Sequence, residues 1–155
     1  MIILNKYKKL YFICTSNSFL SPLSEEIYRV KMKENMPEPF SRGLVILFPE
    51  PLSPKVNQLL YQNDLTSSRH EYTRQLENAD LEKDVLFITM TLSEKVQFME
   101  QFGDEYDVFT LGEFTGEETD VADPYGLDSN AYEACFEDLN RRIDLLIDRI
   151  NGMEG

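Results

Sequence analysis

The segment Leu10-Tyr-Phe-Ile-Cys14 followed by Thr15-Ser-Asn-Ser-Phe-Leu-Ser-Pro22 decides the reading of this chain. A continuous run of aromatic and β-branched residues is the mark of a strand buried on both faces, the habit of a parallel sheet. It stops at a cysteine, passes through a short polar loop, and reaches Ser21 and Pro22. These two read as an N-cap and a proline at the first helical position. Glu25 and Glu26 then fall in the first turn, where the helix dipole favours negative charge, and Leu23, Ile27 and Val30 share a face. A strand end, a polar loop and a helix start together make an anion site, because backbone N–H groups converge there. The same field is expected to hold Cys14 as a thiolate. A free cysteine ending a buried strand is also commonly just a small apolar residue, and on these residues alone both readings stand.

Outward from this segment the pattern repeats. Further apolar runs at Leu44-Val-Ile-Leu-Phe48, Val85-Leu-Phe-Ile-Thr-Met90 and Tyr106-Asp-Val-Phe-Thr-Leu111 read as strands two to four. Ser53-Pro54 opens a helix with Val56, Leu59 and Leu60 on one face. Thr91-Leu-Ser-Glu94 has the form of a capping box before Leu92, Val96, Met99 and Phe102. The last helix carries Tyr132, Cys135, Phe136, Leu139, Ile143, Leu146, Ile147 and Ile150 at spacings of three and four. Strand and helix alternating through 155 residues argue one doubly wound α/β domain, residues 1–155, with about 10–151 carrying the fold. Functional loops are then expected at the carboxyl ends of the strands. Asn63 to Asp84 and Gly112 to Asp128 read as long irregular stretches.

Composition narrows the function. With 15 Lys and Arg against 28 Asp and Glu, the net charge is −13, which repels nucleic acid and anionic membrane on average. Cys14 and Cys135 are too few for a disulfide scaffold, and a single histidine, His70, argues against His-based metal binding or a Ser/His/Asp triad. No metal or cofactor is expected. Lysines 6, 8 and 9 precede an apolar run too short for a signal peptide, and no stretch reaches membrane-spanning length. A reducing cytoplasm fits best. His70 reads as a surface loop residue, Cys135 as core, and Gly116 to Asp120 as a solvated acidic loop.

The chain resembles the low-molecular-weight protein tyrosine phosphatase family. The family loop runs Cys, any, Gly, Asn, any, Cys, Arg, Ser, Pro, and Cys14, Asn17, Ser21 and Pro22 match it. Asp123-Pro-Tyr125 matches the family's general-acid loop before the last helix. The likeness continues through Ser41-Arg-Gly43, Arg74-Gln-Leu76, Ala79-Asp-Leu81, Met90-Thr91 and Tyr132 to Leu139. It implies a three-layer sandwich, a four-stranded parallel sheet with helices on both faces. It also implies Cys14 as nucleophile forming a cysteinyl phosphate, Asp123 as general acid, and Ser21 as the hydroxyl that assists the sulfur. Backbone groups of Thr15, Ser16, Asn17, Ser18, Phe19 and Leu20 would cradle a phosphate or phosphotyrosine-type anion, with Asn17 shaping the loop and Tyr125 flanking the ring. The mid-chain cysteine pair of the related arsenate reductases is absent, which excludes that activity.

The loop departs from this pattern at three places. Leu20 stands where the family has the arginine that clamps the transferring phosphoryl group, and leucine has neither donor nor charge. Ser16 replaces the glycine and Phe19 the second cysteine. Arg42, Arg69 and Arg74 are candidates to compensate, although a loop arginine is usually a solvated charge. Two functions are therefore expected. One is a pseudophosphatase, a regulatory or binding module acting through a protein partner. The other is a low-activity tyrosine phosphatase hydrolysing aryl phosphates through a cysteinyl phosphate.

Overall fold

From Leu10 onward every residue of β1 (Lys9–Cys14) is buried, as a strand covered on both faces requires. The computed structural model of the protein describes residues 6–152; the start of the N-terminal stretch read as no leader, residues 1–5, and residues 153–155 lie outside the described part. In it β1 lies between β2 (Glu38–Gly43) and β3 (Val85–Thr89), and β4 (Asp107–Thr110) flanks β3. The order is β2-β1-β3-β4 and every pair is parallel. This is the expected four-stranded sheet, with every crossover made through helical or loop segments.

Period-two alternation divides the core into two layers. Leu10, Phe12, Cys14, Leu86, Ile88 and Met90 pack with α1 (Leu20–Lys31), α2 (Pro54–Gln62), α4 (Leu111–Thr115) and α5 (Ser129–Gly152). Tyr11, Ile13, Val85, Phe87 and Val108 face the other way, onto α3 (Leu92–Phe102) through Phe98 and Phe102. The long α5 buries the predicted stripe of Cys135, Phe136, Leu139, Ile143, Leu146, Ile147 and Ile150. No helix among the described residues is long and apolar enough to cross a membrane.

Four local expectations are corrected. The second strand is Glu38-Pro-Phe-Ser-Arg-Gly43 rather than Leu44–Phe48. β2 is an edge strand, where Pro39 needs no ladder partner on its open side and polar residues are tolerated. Leu44 and Val45 still donate to the carbonyls of Cys14 and Thr15, after which the chain leaves the sheet with Leu47 and Phe48 exposed. α1 starts one residue before Ser21, with Phe19 in the N-cap position and no side-chain cap. Glu25 and Glu26 thus lie beyond the first turn and are buried, whereas Val30 is exposed.

α3 does open on the capping box of Thr91 and Glu94, but it turns a different stripe inward. Of the expected stripe Phe102 packs inward and Leu92, Val96 and Met99 are exposed, while the Phe98 ring lies tilted against Phe87 at 4.9 Å and against Phe102 at 5.3 Å. An aromatic cluster completed by Tyr11 and Tyr106 outcompetes the aliphatic stripe because each ring buries more surface. Finally, Leu111–Thr115 is a helix of its own, opened by a second capping box of Thr110 and Glu113, where the sequence reads as strand end and loop.

Candidate active site

The carboxyl end of β1 delivers Cys14 to the sheet's edge of loops, and the residues that follow turn tightly around its sulfur. Asn17 sits at φ 55°, the left-handed region that Asn tolerates, so its N–H points back to Cys14 Sγ at 3.3 Å. The Ser21 hydroxyl, one residue inside α1, lies 2.9 Å from the same sulfur. Among the described residues the N–H groups of Ser16, Ser18, Phe19 and Leu20 have no hydrogen-bond partner, whereas the Ser21 N–H is turned to the Cys14 sulfur, so the loop keeps a partly open set of donors.

Behind the loop stands a polar network, most of whose members the sequence reading missed. Asn17 Nδ2 donates to Ser21 Oγ at 2.9 Å and to Ser41 Oγ at 3.1 Å, and its Oδ1 accepts from the Arg74 N–H at 2.8 Å. Ser41 gives its one hydroxyl proton to Glu25 Oε1 at 2.7 Å. It must therefore accept from His70 Nε2, 3.1 Å away, while His70 Nδ1 donates to the Tyr72 carbonyl at 2.9 Å. Two donating ring nitrogens are the pattern of an imidazolium, and the ring lies 3.3 Å from Glu25. Burial alone would lower the His70 pKa, but the bonds to Glu25 and the Tyr72 carbonyl outweigh it and the pKa is raised. Burial works against the Glu25 carboxylate too, and donors from His70 and Ser41 reverse that, leaving its pKa lowered. His70 is thus part of the loop's scaffold, not a surface histidine. The resemblance named Ser41 only as a matching position; nothing in the local pattern of Glu25 or His70 announces a contact across 45 residues of chain.

Gly43 closes the back of the loop. A Cβ there would stand 2.7 Å from Ile46 Cδ1 and 3.0 Å from Asn17 Cβ. Gly43→Ala is expected to cost about 1–3 kcal/mol, read as a lower urea midpoint, and to shift the Asn17 side-chain amide resonances; an unchanged midpoint would refute the close approach.

The electrostatics are the reverse of those expected. The Cys14 thiol is pushed up to about 11, first by burial, with the Glu94 charge adding to the rise and the Ser21 and Asn17 hydrogen bonds opposing it. At neutral pH Cys14 is a thiol, not the anticipated thiolate. Glu94 reaches the loop from α3: its Oε2 accepts from Thr15 N–H at 2.7 Å and Thr15 Oγ1 at 2.9 Å. Among the described residues no cation pairs with it. Leu20 is 7% exposed and packs in the core, as does Phe19, whose ring meets Tyr132 edge-on at 5.2 Å. Arg42 turns away to Asp80 and lies over the Tyr11 ring, while Arg69 and Arg74 are exposed. Among the described residues none of the three guanidinium groups bonds to residues 14–21.

The Asp123 segment lies along the start of α5. Asp123 Oδ1 accepts from the Tyr125 N–H at 3.0 Å, and it lines an apolar cavity with Pro124, Leu127, Ala131 and Cys135. Tyr125 is 85% exposed. Among the described residues no hydrogen bond joins Asp123 or Tyr125 to the Cys14 loop, and α5 meets that loop through Tyr132 against Phe19. Nor do three or more His, Cys, Asp or Glu side chains converge as a metal-binding group among the described residues.

The fold that places Cys14 at a strand end has counterparts among known proteins. Low molecular weight protein-tyrosine-phosphatase PtpB of Staphylococcus aureus is 34% identical over 131 residues, covering 84% of this chain and 91% of that protein. Among solved structures, the low molecular weight protein tyrosine phosphatase from T. tengcongensis superposes with a TM-score of 0.81 at 30% identity, covering 90% of this chain and 97% of that one. The YwlE arginine phosphatase from Geobacillus stearothermophilus has a TM-score of 0.81 at 26% identity, covering 94% of each chain. The family model described as low molecular weight phosphotyrosine protein phosphatase matches residues 9–153, and the chain belongs to that family.

Proposed function

We propose that residues 10–151 form one cytoplasmic phosphatase-like domain that has lost most or all phosphatase activity and works as a pseudophosphatase, a regulatory or binding module engaging a protein partner. The observation that carries this reading is Leu20. Six residues after Cys14, where the phosphoryl group needs a guanidinium, stands an apolar side chain committed to the core. An arginine serving a phosphoryl transition state contributes on the order of 10³–10⁵ in rate. The raised Cys14 thiol supports the same conclusion, because the sulfur must be anionic to attack phosphorus.

Thr15 to Leu20 remain the residues on which a phosphate-type anion would lie, with Cys14, Ser21, Asp123 and Tyr125 as vestiges of the chemistry. The test is hydrolysis of an aryl phosphate and, because one relative is an arginine phosphatase, of phosphoarginine, by wild type beside Cys14→Ser and Asp123→Asn. Wild-type rates equal to those of Cys14→Ser are expected with both substrates. Turnover that both substitutions abolish would establish instead a low-activity phosphatase using a cysteinyl phosphate.

A further inference from the structure

We propose that Glu94 is a specificity-determining residue of the Cys14 loop, a resident anion that takes the loop's first amide and turns dianionic phosphoryl groups away. The proposal rests on residues 14–21 being the anion loop of the preceding section, and it deepens that reading.

Glu94 is 8% exposed, and its two carboxylate oxygens are both engaged. Oε2 accepts from the Thr15 N–H and hydroxyl, and Oε1 accepts from the Thr91 N–H at 3.1 Å. Burial raises the Glu94 pKa, and the bonds from Thr15 and Thr91 oppose that rise; three donors and no acceptor are the surroundings that an ionised carboxylate requires. A carboxylate oxygen on a loop amide is also the charge-assisted bond that a bound anion would make, so Thr15 N–H is already spent on an internal partner. The nearest cation in sequence, Lys95, is drawn off to Glu113 at 2.5 Å. Among the described residues Glu94 has no ion pair, and its charge faces the loop uncompensated.

It is also held in place. As the third helical residue it completes the capping box with Thr91, whose hydroxyl accepts from the Glu94 N–H at 3.2 Å, and the neighbouring Leu92 N–H is fixed by Asp120 Oδ1 at 2.9 Å. The carboxylate therefore has no ready alternative position when a ligand approaches. At contact distance in a buried site, repulsion between like charges exceeds what an additional amide hydrogen bond returns.

The test measures binding, not turnover. Sulfate serves as the probe because it is a dianion whose charge is constant around neutral pH. It is titrated at fixed ionic strength while the amide resonances of Ser16 and Ser18 are followed. Wild type is expected to show no saturable shift at these amides. Glu94→Gln, which keeps a capping-box residue, is expected to bind sulfate at least about tenfold more tightly. Glu94→Asn, whose shorter amide withdraws from Thr15, serves as the second variant and is expected to behave likewise. Folded variants that bind sulfate no better than wild type would overturn the proposal, as would wild-type binding equal to theirs. Cys14-dependent turnover by wild type would overturn the pseudophosphatase reading alone, since the sulfate comparison is read without it.

Discussion

Leu20→Arg is expected to raise aryl phosphate hydrolysis by on the order of 10²–10³ over wild type, with the gain abolished by adding Cys14→Ser. The guanidinium would supply two parallel donors to the equatorial oxygens and a positive charge that lowers the Cys14 thiol toward neutrality. Two features of the structure limit the gain. Leu20 is 7% exposed in the first turn of α1, so losing it from the core costs about 1.5–3 kcal/mol, to be seen as a lower denaturation midpoint. Glu94 offers the new arginine a carboxylate next to the loop and competes with substrate for it. The gain should therefore be larger in the Glu94→Gln background than the single substitutions predict, a coupling expected of groups sharing one site. A folded Leu20→Arg protein with no added turnover would show that the loop's remaining donors no longer converge on a phosphoryl group.

The second large effect is on stability. Glu25→Ala is expected to destabilise the fold by about 1.5–3 kcal/mol, because it removes a buried carboxylate from two half-buried cations at once, Arg29 keeping only Glu26 at 3.5 Å as an acidic partner. Arg29 lies 2.5 Å and His70 3.3 Å from the Glu25 carboxylate, and Ser41 loses its acceptor. The pH dependence carries a sign that identifies the pair. The Glu25 pKa is lowered, so its contribution is present above about 4.5 and is lost as pH falls through the folded value. The His70 pKa is raised, so its contribution is complete below about 6.5 and is lost as pH rises through the folded value. Urea unfolding of wild type and Glu25→Ala across this range should show the widest difference between about pH 4.5 and 6.5, narrowing on the alkaline side. A difference that does not change with pH would mean that Glu25 acts by packing alone.

Much of this protein was legible in local pattern. Three of the four strands, the helices after Ser53 and Thr91, and the long terminal helix follow from runs and periodicities within about ten residues, the range over which burial imposes a repeat. The place of Cys14 at a strand end, and the absence of an arginine at Leu20, are likewise statements about consecutive residues. The misreadings have one character. The apolar run Leu44–Phe48 resembled a strand more than the true β2, because edge position relaxes the demand for apolar residues and only the assembled sheet says which strand is at the edge. α3 carries two plausible stripes, and the choice fell to the one that meets Phe87.

The site divides in the same way. From the order of residues comes the place of Cys14 at a strand end, and from the family resemblance the expectation of a left-handed Asn17 and of an arginine where Leu20 stands. The charge of the sulfur is decided only by the folded chain, because a thiol's pKa is set by burial and by neighbouring charges, whatever their distance along the sequence. Glu94 shows this most clearly: its capping role is written three residues away in Thr91, while its hold on Thr15 spans 79 residues and exists only once α3 packs beside the loop.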